Sequence, residues 1–482
     1  MSEVKADATE LYDGPTEILD DQNTQVETIK PTGTSPQEDP REVSPSPEPG
    51  QTGDSRKRTA ETPADGERKR KKVAEGHEKE NRPGAVAKRT RTSDERPTFS
   101  VVDNETNDEI LDFYHQFPGL KDKYHLICKI GEGTFSSVYE AVDLEHDLCD
   151  NTAWSRQLTD RPKDDPYYVP LAKAFGNAPS VALKRIYVTS SSQRICNEIR
   201  VLSTLRGHPN IVHLITALRH QDQVVVVLPY FRHSDFRDFY LKLTMDEIRD
   251  YMRALLSGLE HIHKYRIIHR DVKPSNFLYN LKMRTGVLCD FGLAQREEMT
   301  APKITSEGLS SVSPAPPKRS NRKPGYIIND PRPSVRASRA GTRGFRAPEV
   351  LMKVTHQTCA IDLWSVGVIL LSIFTGHFPF FQSSEDQEAY LEIAHIFGKQ
   401  AMQKLALQFR RHLETNIPSV DAPMPFETLC ERLHSRRAKE IPPEGYDLLK
   451  RLLALHPEER ITAAEACMHP FLAGGDGGRA TE

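Results

Sequence analysis

The chain has 482 residues, long enough for two or three domains, and a formal net charge of −3 at pH 7. Its 7 Cys residues are scattered without a CxxC pair, which disfavours a zinc site or a disulfide scaffold and favours a reduced intracellular protein. The acidic, polar N-terminus predicts no secretory signal, and the longest apolar run, residues 363–374, is short for a bilayer and predicts a buried helix.

Residues 1–105 differ in composition from the rest of the chain. They are rich in Pro, Ser, Thr, Glu, Lys and Arg and hold few clustered apolar residues. Because such a segment buries too little apolar surface to offset chain entropy, we expect a disordered regulatory tail. Its basic clusters, residues 56–58 and 68–72, suit a bipartite nuclear import signal and so predict a nuclear protein. A solvated charge run or a loose nucleic-acid contact is the alternative.

The same tail carries two kinds of short motif. Ser-Pro and Thr-Pro pairs, typical of targets of proline-directed kinases, begin at Ser35, Ser44, Ser46 and Thr62. Lys79-Glu80-Asn81 resembles a degradation signal of cell-cycle proteins. Such short patterns are common in disordered chains, so the sequence leaves their use open.

A region of predicted strands begins at about residue 124. Runs rich in β-branched residues and bounded by turn signals predict strands over 126–130, 137–142, 181–187 and 224–228. The segment of about 143–180 separates the second strand from the third and contains Asp, Pro and Gly residues. A connection of this length inside a compact domain indicates an insert.

Helical patterns dominate the remaining sequence. Apolar residues at helical spacing predict helices over 194–205, 246–264, 360–375, 387–397, 443–455 and 463–469. A second insert, about 296–340, is basic, rich in Ser and Pro, and predicted to be flexible. We therefore expect an α+β domain over 124–472 and a short flexible tail over 473–482.

A glycine-rich turn lies between the first two predicted strands. Gly131 and Gly133 let the backbone approach a phosphate closely, and Val138 can pack on a purine. No Lys-Ser or Lys-Thr pair follows, so the turn is not a P-loop, and alone it could equally be a hairpin turn. The nucleotide-binding candidates here are Ile130, Gly131, Glu132, Gly133, Thr134, Phe135, Ser136 and Val138.

A lysine falls inside the third predicted strand. Lys184 ends the apolar run that begins at Val181, and a buried ammonium group is costly without a charged partner. Glu198, on the next predicted helix, is the best candidate. Together the two residues would fix the α- and β-phosphates of a nucleotide. The alternative is a lysine that faces water from an edge strand.

Residues 269–276 have the composition of a phosphoryl-transfer loop. Asp271 can accept the proton of a hydroxyl group, Lys273 can meet the moving phosphate, and Asn276 can hold a metal ion. Asp290 begins an Asp-Phe-Gly segment after a short apolar strand. Its carboxylate and the Asn276 amide are the hard oxygen donors that Mg²⁺ prefers.

The order of these motifs resembles that of eukaryotic protein kinases. Ala347-Pro348-Glu349, then Asp362 and finally Arg460 continue the series after the Asp-Phe-Gly segment. The resemblance covers residues 124–472 and implies ATP and Mg²⁺ as cofactors. It implies a bilobal α+β fold, with a sheet-rich N-lobe, a helical C-lobe and ATP between them. In such a fold Glu349 pairs with Arg460, and Asp362 accepts hydrogen bonds from the catalytic-loop backbone.

The resemblance also assigns the adenine end of the site. Leu228 would be the gatekeeper beside the adenine, Phe231 would donate its backbone N–H from the hinge, and Ala182 and Leu278 would enclose the ring. Cys289 would face the same site, where its thiol is either reactive or inert core.

Longer runs narrow the resemblance to one branch. Lys273 is typical of serine/threonine kinases, as is Thr342, which would brace both Asp271 and Lys273. The runs 131–139, 271–280, 290–295 and 341–349 together resemble kinases of the cell-division-cycle-seven type. This implies an obligate activating subunit and phosphorylation of MCM helicase subunits at replication origins. No direct nucleic-acid contact and no membrane partner are expected.

Arginines of the activation segment suggest the substrate and the control. Arg343 and Arg346, together with the basic second insert, would favour acidic or phosphorylated substrate segments, although Arg346 could instead be structural. Arg270 could receive a phosphate on the activation segment, so the sequence leaves phospho-activation open. The two inserts are the candidate docking segments for the activating subunit.

Two other functions compete with this interpretation. A pseudokinase scaffold would lack one of four residues that are all present: Lys184, Asp271, Asn276 and Asp290. A cyclin-dependent-like or casein-kinase-like enzyme would share the general motifs but not the run Ser-Asn-Phe-Leu-Tyr-Asn at 275–280.

Overall fold

The computed structural model describes residues 19–20, 104–148, 151–152, 154, 178–298 and 340–473. The predictions for the rest of the N-terminal tail, including its basic clusters and short motifs, lie outside the described residues. So do those for most of the first insert, for the second insert from 299 to 339 and for the tail after 473.

One six-stranded sheet carries the glycine-rich turn and Lys184. Its strands are β1 (Leu19–Asp20), β2 (Tyr124–Glu132), β3 (Ser136–Asp143), β4 (Ser180–Ile186), β5 (Thr216–His220) and β6 (Gln223–Pro229), in the order β1-β5-β6-β4-β3-β2. Every neighbouring pair is antiparallel except β1 and β5. The four predicted strands are confirmed. Strand β5 is not predicted, because it has only one β-branched residue.

Two helices that precede β2 cover one face of the sheet. They are α1 (Asn104–Gln116) and α2 (Leu120–Lys123). Phe113 and Leu120 pack against Leu183 of β4 and Val225 of β6, while alternate residues of the same strands face the opposite side, as the period of two requires. Trp154, from the first insert, is 2% exposed and joins this cluster. Helices α1 and α2 are additions to the predicted elements, which begin at about residue 124.

The other face of the sheet packs against α3 (Ser192–Thr204), and helices dominate the chain after β6. They are α4 (Phe236–Phe239), α5 (Met245–Lys264), α6 (Pro348–Leu351), α7 (Ala360–Thr375), α8 (Asp386–Phe397), α9 (Lys399–Gln408), α10 (Phe426–Ala438), α11 (Pro443–Leu452), α12 (Ala463–Cys467) and α13 (Pro470–Ala473). The predicted helices are confirmed to within three residues at each end, whereas α4, α6, α9, α10 and α13 are not predicted. The structure therefore has the expected α+β class, with a sheet-rich N-lobe and a helical C-lobe.

Helix α7 is the buried helix that the apolar run predicts. All but its first residue are buried. None of the helices within the described ranges is long and apolar enough to span a membrane. The predicted Glu349–Arg460 pair is confirmed beside this helix, with Arg460 Nη1 2.8 Å from Glu349 Oε1 and 2.7 Å from the carbonyl oxygen of Ala360.

Two small β-ladders flank the catalytic loop. One joins β7 (Ile267–Ile268) to β10 (Gln295–Arg296), and the other joins β8 (Phe277–Asn280) to β9 (Thr285–Leu288). Because β8 and β9 are antiparallel, Asn276 just before β8 lies beside Cys289 just after β9, and the Cys289 N–H donates to the Asn276 carbonyl at 2.9 Å. This pairing places the catalytic loop next to the Asp-Phe-Gly segment.

Candidate active site

A lysine between two carboxylates joins the sheet to the helical part. Lys184 Nζ lies 2.6 Å from Glu198 Oε1 on α3 and 2.8 Å from Asp290 Oδ1. The predicted pair with Glu198 is confirmed. The edge-strand alternative is wrong, because β4 lies between β3 and β6 and Lys184 is 8% exposed.

These contacts set the charges of the group. Burial alone would lower the pKa of Lys184, but the carboxylates of Glu198 and Asp290 outweigh it and hold the pKa above its ordinary value. Desolvation would raise the pKa of Asp290, but Lys184 lowers it to about 2. At neutral pH Lys184 is therefore a cation and Asp290 an anion, the forms that bind phosphate and a metal ion.

One buried carboxylate holds the backbone of the catalytic loop. Asp362 accepts hydrogen bonds from the backbone N–H groups of His269 and Arg270, both at 2.8 Å, as predicted. His263 Nε2 lies 3.0 Å from the same carboxylate. Arg270 has a φ of +71°, which L residues rarely adopt. Such a strained backbone persists only where its surroundings over-determine it, which these bonds do.

Asp271 lies at the centre of a hydrogen-bond network. Its Oδ1 accepts from the N–H of Thr342 at 2.8 Å and from the Thr342 hydroxyl at 2.7 Å. Its Oδ2 accepts from Lys273 Nζ at 2.8 Å and from Asn276 Nδ2 at 3.0 Å. Burial would raise the pKa of Asp271, but Lys273 and Thr342 hold it below the ordinary value. The predicted contacts of Thr342 with both Asp271 and Lys273 are confirmed, because the Thr342 hydroxyl also accepts a hydrogen bond from Lys273 Nζ at 2.9 Å.

Gly341 allows Thr342 to approach the catalytic loop. Its φ is +99°, and a Cβ at this position would come within 2.3 Å of the Arg270 carbonyl oxygen. Only glycine meets both conditions without displacing the backbone. The backbone N–H of Thr342 therefore reaches Asp271.

The glycine-rich turn faces the catalytic loop. The N–H of Gly133 donates to the Ser136 carbonyl at 2.8 Å, and the N–H of Tyr187 donates to the Phe135 carbonyl at 2.9 Å. The Phe135 ring lies under the guanidinium of Arg194, with 3.8 Å between Cζ and the ring centroid. Sequence reasoning missed Arg194. Its position four residues before Glu198, and so on the same face of α3, was the available signal.

A cavity of about 320 Å³ lies between the turn and the catalytic loop. This volume is at the lower end of the range for small-molecule sites. The predicted site residues that line it are Gly133, Thr134, Phe135, Ser136, Lys184, Glu198, Asp271, Lys273 and Asp290. The structure thus brings together the residues assigned to phosphate and to catalysis. Ser190, Arg194 and Leu293 also line it and were not predicted.

The residues assigned to the adenine form a separate group. Ala182 and Leu228 are paired in register across β4 and β6, and both are buried. The Phe231 carbonyl oxygen lies 3.1 Å from His233 Nδ1, and Leu278 lies on β8 opposite Val287. The remaining predicted residues lie on β2 and β3 outside the lining of this cavity: Ile130, Gly131, Glu132 and Val138. Their contacts with an adenine stay predictions.

The donor set suits Mg²⁺. Asn276 uses Nδ2 for its bonds to Asp271, at 2.9 Å to the carbonyl oxygen and 3.0 Å to Oδ2, so these bonds leave its amide oxygen for a cation. The described residues contain no group of three or more His, Cys, Asp or Glu side chains placed so that they could hold a metal ion. One carboxylate, from Asp290, and one amide fit an ion that fills its other positions with water and phosphate oxygens, as Mg²⁺ does.

Cys289 is not an activated thiol in this structure. Burial raises its pKa to about 12, and the neighbouring Asp290 carboxylate acts in the same direction. Its Sγ lies 3.4 Å from the Asn276 carbonyl oxygen. Because the thiolate is the reactive form, these contacts favour the inert alternative.

The activation-segment arginines have different surroundings. Arg346 donates to the Gly341 carbonyl at 2.9 Å and 2.7 Å and pairs with Asp386 at 3.0 Å. These contacts favour a structural role for Arg346 over substrate binding. Arg343 lies 3.3 Å from the same carboxylate, but its side chain is 38% exposed. Arg270 contacts the side-chain amides of two glutamines, Gln295 and Gln357.

The sheet-rich and helical parts meet at groups suited to passing a phosphoryl group to a hydroxyl, the arrangement of the protein kinase class. The family described as "Protein kinase domain" matches residues 169–472. The match begins after the glycine-rich turn, whose assignment therefore depends on its place in the sheet.

Curated relatives narrow the class. The chain is 42% identical over 393 residues to "Cell cycle protein kinase spo4" of Schizosaccharomyces pombe, covering 77% of this chain and 90% of that protein. It is 43% identical over 354 residues to "Probable cell division control protein 7 homolog 1" of Encephalitozoon cuniculi, covering 72% and 92%. It is 40% identical over 384 residues to "Cell cycle serine/threonine-protein kinase hsk1" of S. pombe, covering 76% and 75%.

The chain belongs to the protein kinase family and, within it, to the kinases of the cell-division-cycle-seven type. It is accordingly a serine/threonine protein kinase of the cell cycle. The pseudokinase alternative finds no support in a site whose four key residues are all present and form two hydrogen-bonded pairs, Lys184 with Asp290 and Asn276 with Asp271.

Proposed function

We propose that this kinase uses ATP and Mg²⁺ to phosphorylate MCM helicase subunits in the nucleus and so promotes the initiation of DNA replication, once a regulatory subunit has activated it. The observation that carries the catalytic part is the convergence of Lys184, Asp271, Lys273 and Asp290 on one cavity. The replication part is supported by the resemblance of the motif runs and by relatives named as cell division control protein 7 homologs.

The mechanism follows from the positions of these groups. Lys184 binds the α- and β-phosphate oxygens, and Asp271 accepts the proton of the Ser or Thr hydroxyl as that oxygen attacks the γ-phosphorus. Lys273 neutralises charge on the phosphoryl group as the bond to ADP breaks. Asp290 and Asn276 hold Mg²⁺, which when bound offsets the charge of the phosphates. Catalysis is then mainly positioning and electrostatic stabilisation.

The Asp271→Asn variant tests the catalytic assignment. Loss of a general base costs about 100- to 10,000-fold in rate, so we expect kcat to fall at least about 100-fold while nucleotide affinity stays near that of the wild type. Transfer of labelled phosphate to a protein substrate gives kcat, and calorimetric titration with ATP gives affinity. Asp222→Asn, an exposed carboxylate between β5 and β6, is the control and should stay fully active. Substantial transfer by the Asp271 variant would refute the assignment.

The activating subunit is tested by purification of the full chain from cells. A replication-initiation regulatory subunit should copurify in near-stoichiometric amount and raise kcat. A cyclin, or an active chain without any partner, would instead favour the cyclin-dependent-like or casein-kinase-like alternative. Cell fractionation of the same tagged chain tests the nuclear location, which a substitution of the basic residues 68–72 should abolish.

We also propose that Arg343 contributes to selection of acidic or phosphorylated substrate segments. The guanidinium of Arg343 is partly exposed, which supports it as the group that binds the substrate. Arg346 is instead bonded to Gly341 and Asp386. Arg343→Ala should raise KM for an acidic peptide more than for a neutral one of equal length. Equal changes for both peptides would contradict this proposal.

A further inference from the structure

One arginine of α3 contacts both the glycine-rich turn and the Asp-Phe-Gly segment of the proposed nucleotide site. Arg194 places its guanidinium 3.8 Å from the centroid of the exposed Phe135 ring at the tip of the glycine-rich turn. Its Nε donates to the Gly292 carbonyl, the last residue of the Asp-Phe-Gly segment, at 2.7 Å. A single side chain therefore links the turn, the helix and the segment that carries Asp290.

A guanidinium is suited to this double contact. Its planar, delocalised cation stacks on an aromatic face while its edge N–H groups donate to a carbonyl, which an ammonium group does less well. The residues beneath it are closely packed, since a Cβ on Gly292 would lie 3.3 Å from Glu198 Oε2 and 3.4 Å from Asp290 Oδ1. A shift of Gly292 on loss of the Arg194 contact would therefore also move the carboxylates of Glu198 and Asp290, which bind Lys184.

A second bond fixes the same helix to the same segment. Asn197 Nδ2 donates to the Ala294 carbonyl at 2.8 Å. Helix α3 is thus bound to the segment after Asp290 at two points, through Arg194 and Asn197. Of these two residues, Arg194 is the one that also contacts the glycine-rich turn, through the Phe135 ring.

We infer that Arg194 is a positioning residue that couples closure of the glycine-rich turn over the nucleotide to the placement of Asp290. The inference rests on the proposed nucleotide site. With Arg194 in place, the turn and the Asp-Phe-Gly segment reach their working positions together, so ATP meets both in one step. Without it, each must be ordered separately when ATP binds, and the apparent affinity for ATP falls.

A double-mutant cycle in the full-length kinase, with its activating partner where one copurifies, tests this coupling. The variants are Arg194→Ala, Phe135→Leu and the pair. A cation–π contact corresponds to about 2- to 30-fold in an equilibrium constant, so we expect Phe135→Leu to raise KM for ATP several-fold. In the Arg194→Ala background the same change should have almost no further effect, because its partner is already gone. KM for the protein substrate should stay unchanged.

Conservative variants separate positioning from simple structural support. Phe135→Tyr keeps the ring and should raise KM for ATP less than Phe135→Leu does, and Arg194→Lys keeps the charge and should restore part of the loss. Arg200→Ala, an exposed arginine on the same helix, is the control and should change neither KM nor Tm. If Arg194→Ala lowers expression, Phe135→Leu and Phe135→Tyr still report on the contact from the turn.

Three outcomes would overturn the inference: independent, multiplicative effects of the two substitutions on KM for ATP; a lower Tm with unchanged KM for ATP; and equal effects of Phe135→Tyr and Phe135→Leu. None of these affects the proposed catalytic function, which fails only if Asp271→Asn remains active. The two proposals can therefore fail separately.

Discussion

The catalytic loop and the glycine-rich turn face the same cavity but are held by different interactions. Asp271 and Asn276 are buried, at 7% and 6% exposure, and the loop backbone is bonded to Asp362, at 1%. In the turn Phe135 is 42% exposed, and the side-chain contact that holds its ring is that of Arg194. The chemical side of the site is thus fixed by buried hydrogen bonds, whereas the covering side can adapt at little cost in free energy.

The strongest test of this contrast is Asp362→Ala. It would leave the N–H groups of His269 and Arg270 buried and unpaired, at about 1–3 kcal/mol for each group. We expect kcat to fall about 100-fold or more, together with a clear loss of the free energy of unfolding. Urea denaturation and steady-state kinetics measure the two effects. A variant with near-normal kcat would show that other contacts fix the loop.

The second test compares a buried ion pair with an exposed one in the helical lobe. Glu349→Ala leaves the fully buried Arg460 without its carboxylate, which should cost about 3–5 kcal/mol of unfolding free energy. Glu427→Ala removes a pair with Lys450 of similar distance, 2.5 Å, whose side chains are about half exposed, and should cost about 0.2–1 kcal/mol. Equal losses in urea denaturation would mean that burial does not distinguish these contacts.

The third test uses pH at Asp290, which lies between the two regions. Its pKa is lowered to about 2 by Lys184, from an ordinary value near 3.9. A lowered carboxylate pKa stabilises the folded state above the ordinary value, and the contribution is lost as pH falls toward 2. The stability difference between wild type and Asp290→Asn should therefore be constant from about pH 8 to 5 and shrink below about pH 4. A difference that already shrinks near pH 6 would contradict the lowered pKa.

Sequence reasoning located the rigid region better than the adaptable one. The Lys184–Glu198 pair follows because a buried ammonium group needs a carboxylate, and the bonds to Asp362 follow from the resemblance to protein kinases. The Phe135–Arg194 contact depends on how an exposed ring and a long side chain meet across two elements. Helical spacing places Arg194 on the same face as Glu198, but it does not say which ring of another element the side chain meets.

The same limit applies to the fold. Strands β2 to β4 and β6 carry β-branched runs that predict them, whereas β5 does not. Helix α1 lies at the end of a polar segment. Phe113 in the helix and Phe117 just after it are core residues only because they cover the sheet face. Tertiary packing, rather than local propensity, determines both elements.

The smallest expected effect is that of Glu132→Gln in the turn. Glu132 pairs with Lys129 at 2.7 Å and accepts from the Tyr187 hydroxyl at 3.1 Å, but its side chain is 59% exposed. Exposed pairs contribute little because water and salt screen them, so kcat should stay within about twofold and Tm should barely change. Lys129→Met removes the same pair together with a second one to Glu109, at 2.9 Å, and should lower Tm slightly more. A loss from either variant comparable with that of Asp362→Ala would mean that the turn is fixed as firmly as the catalytic loop, and the contrast between the two sides of the cavity would not hold.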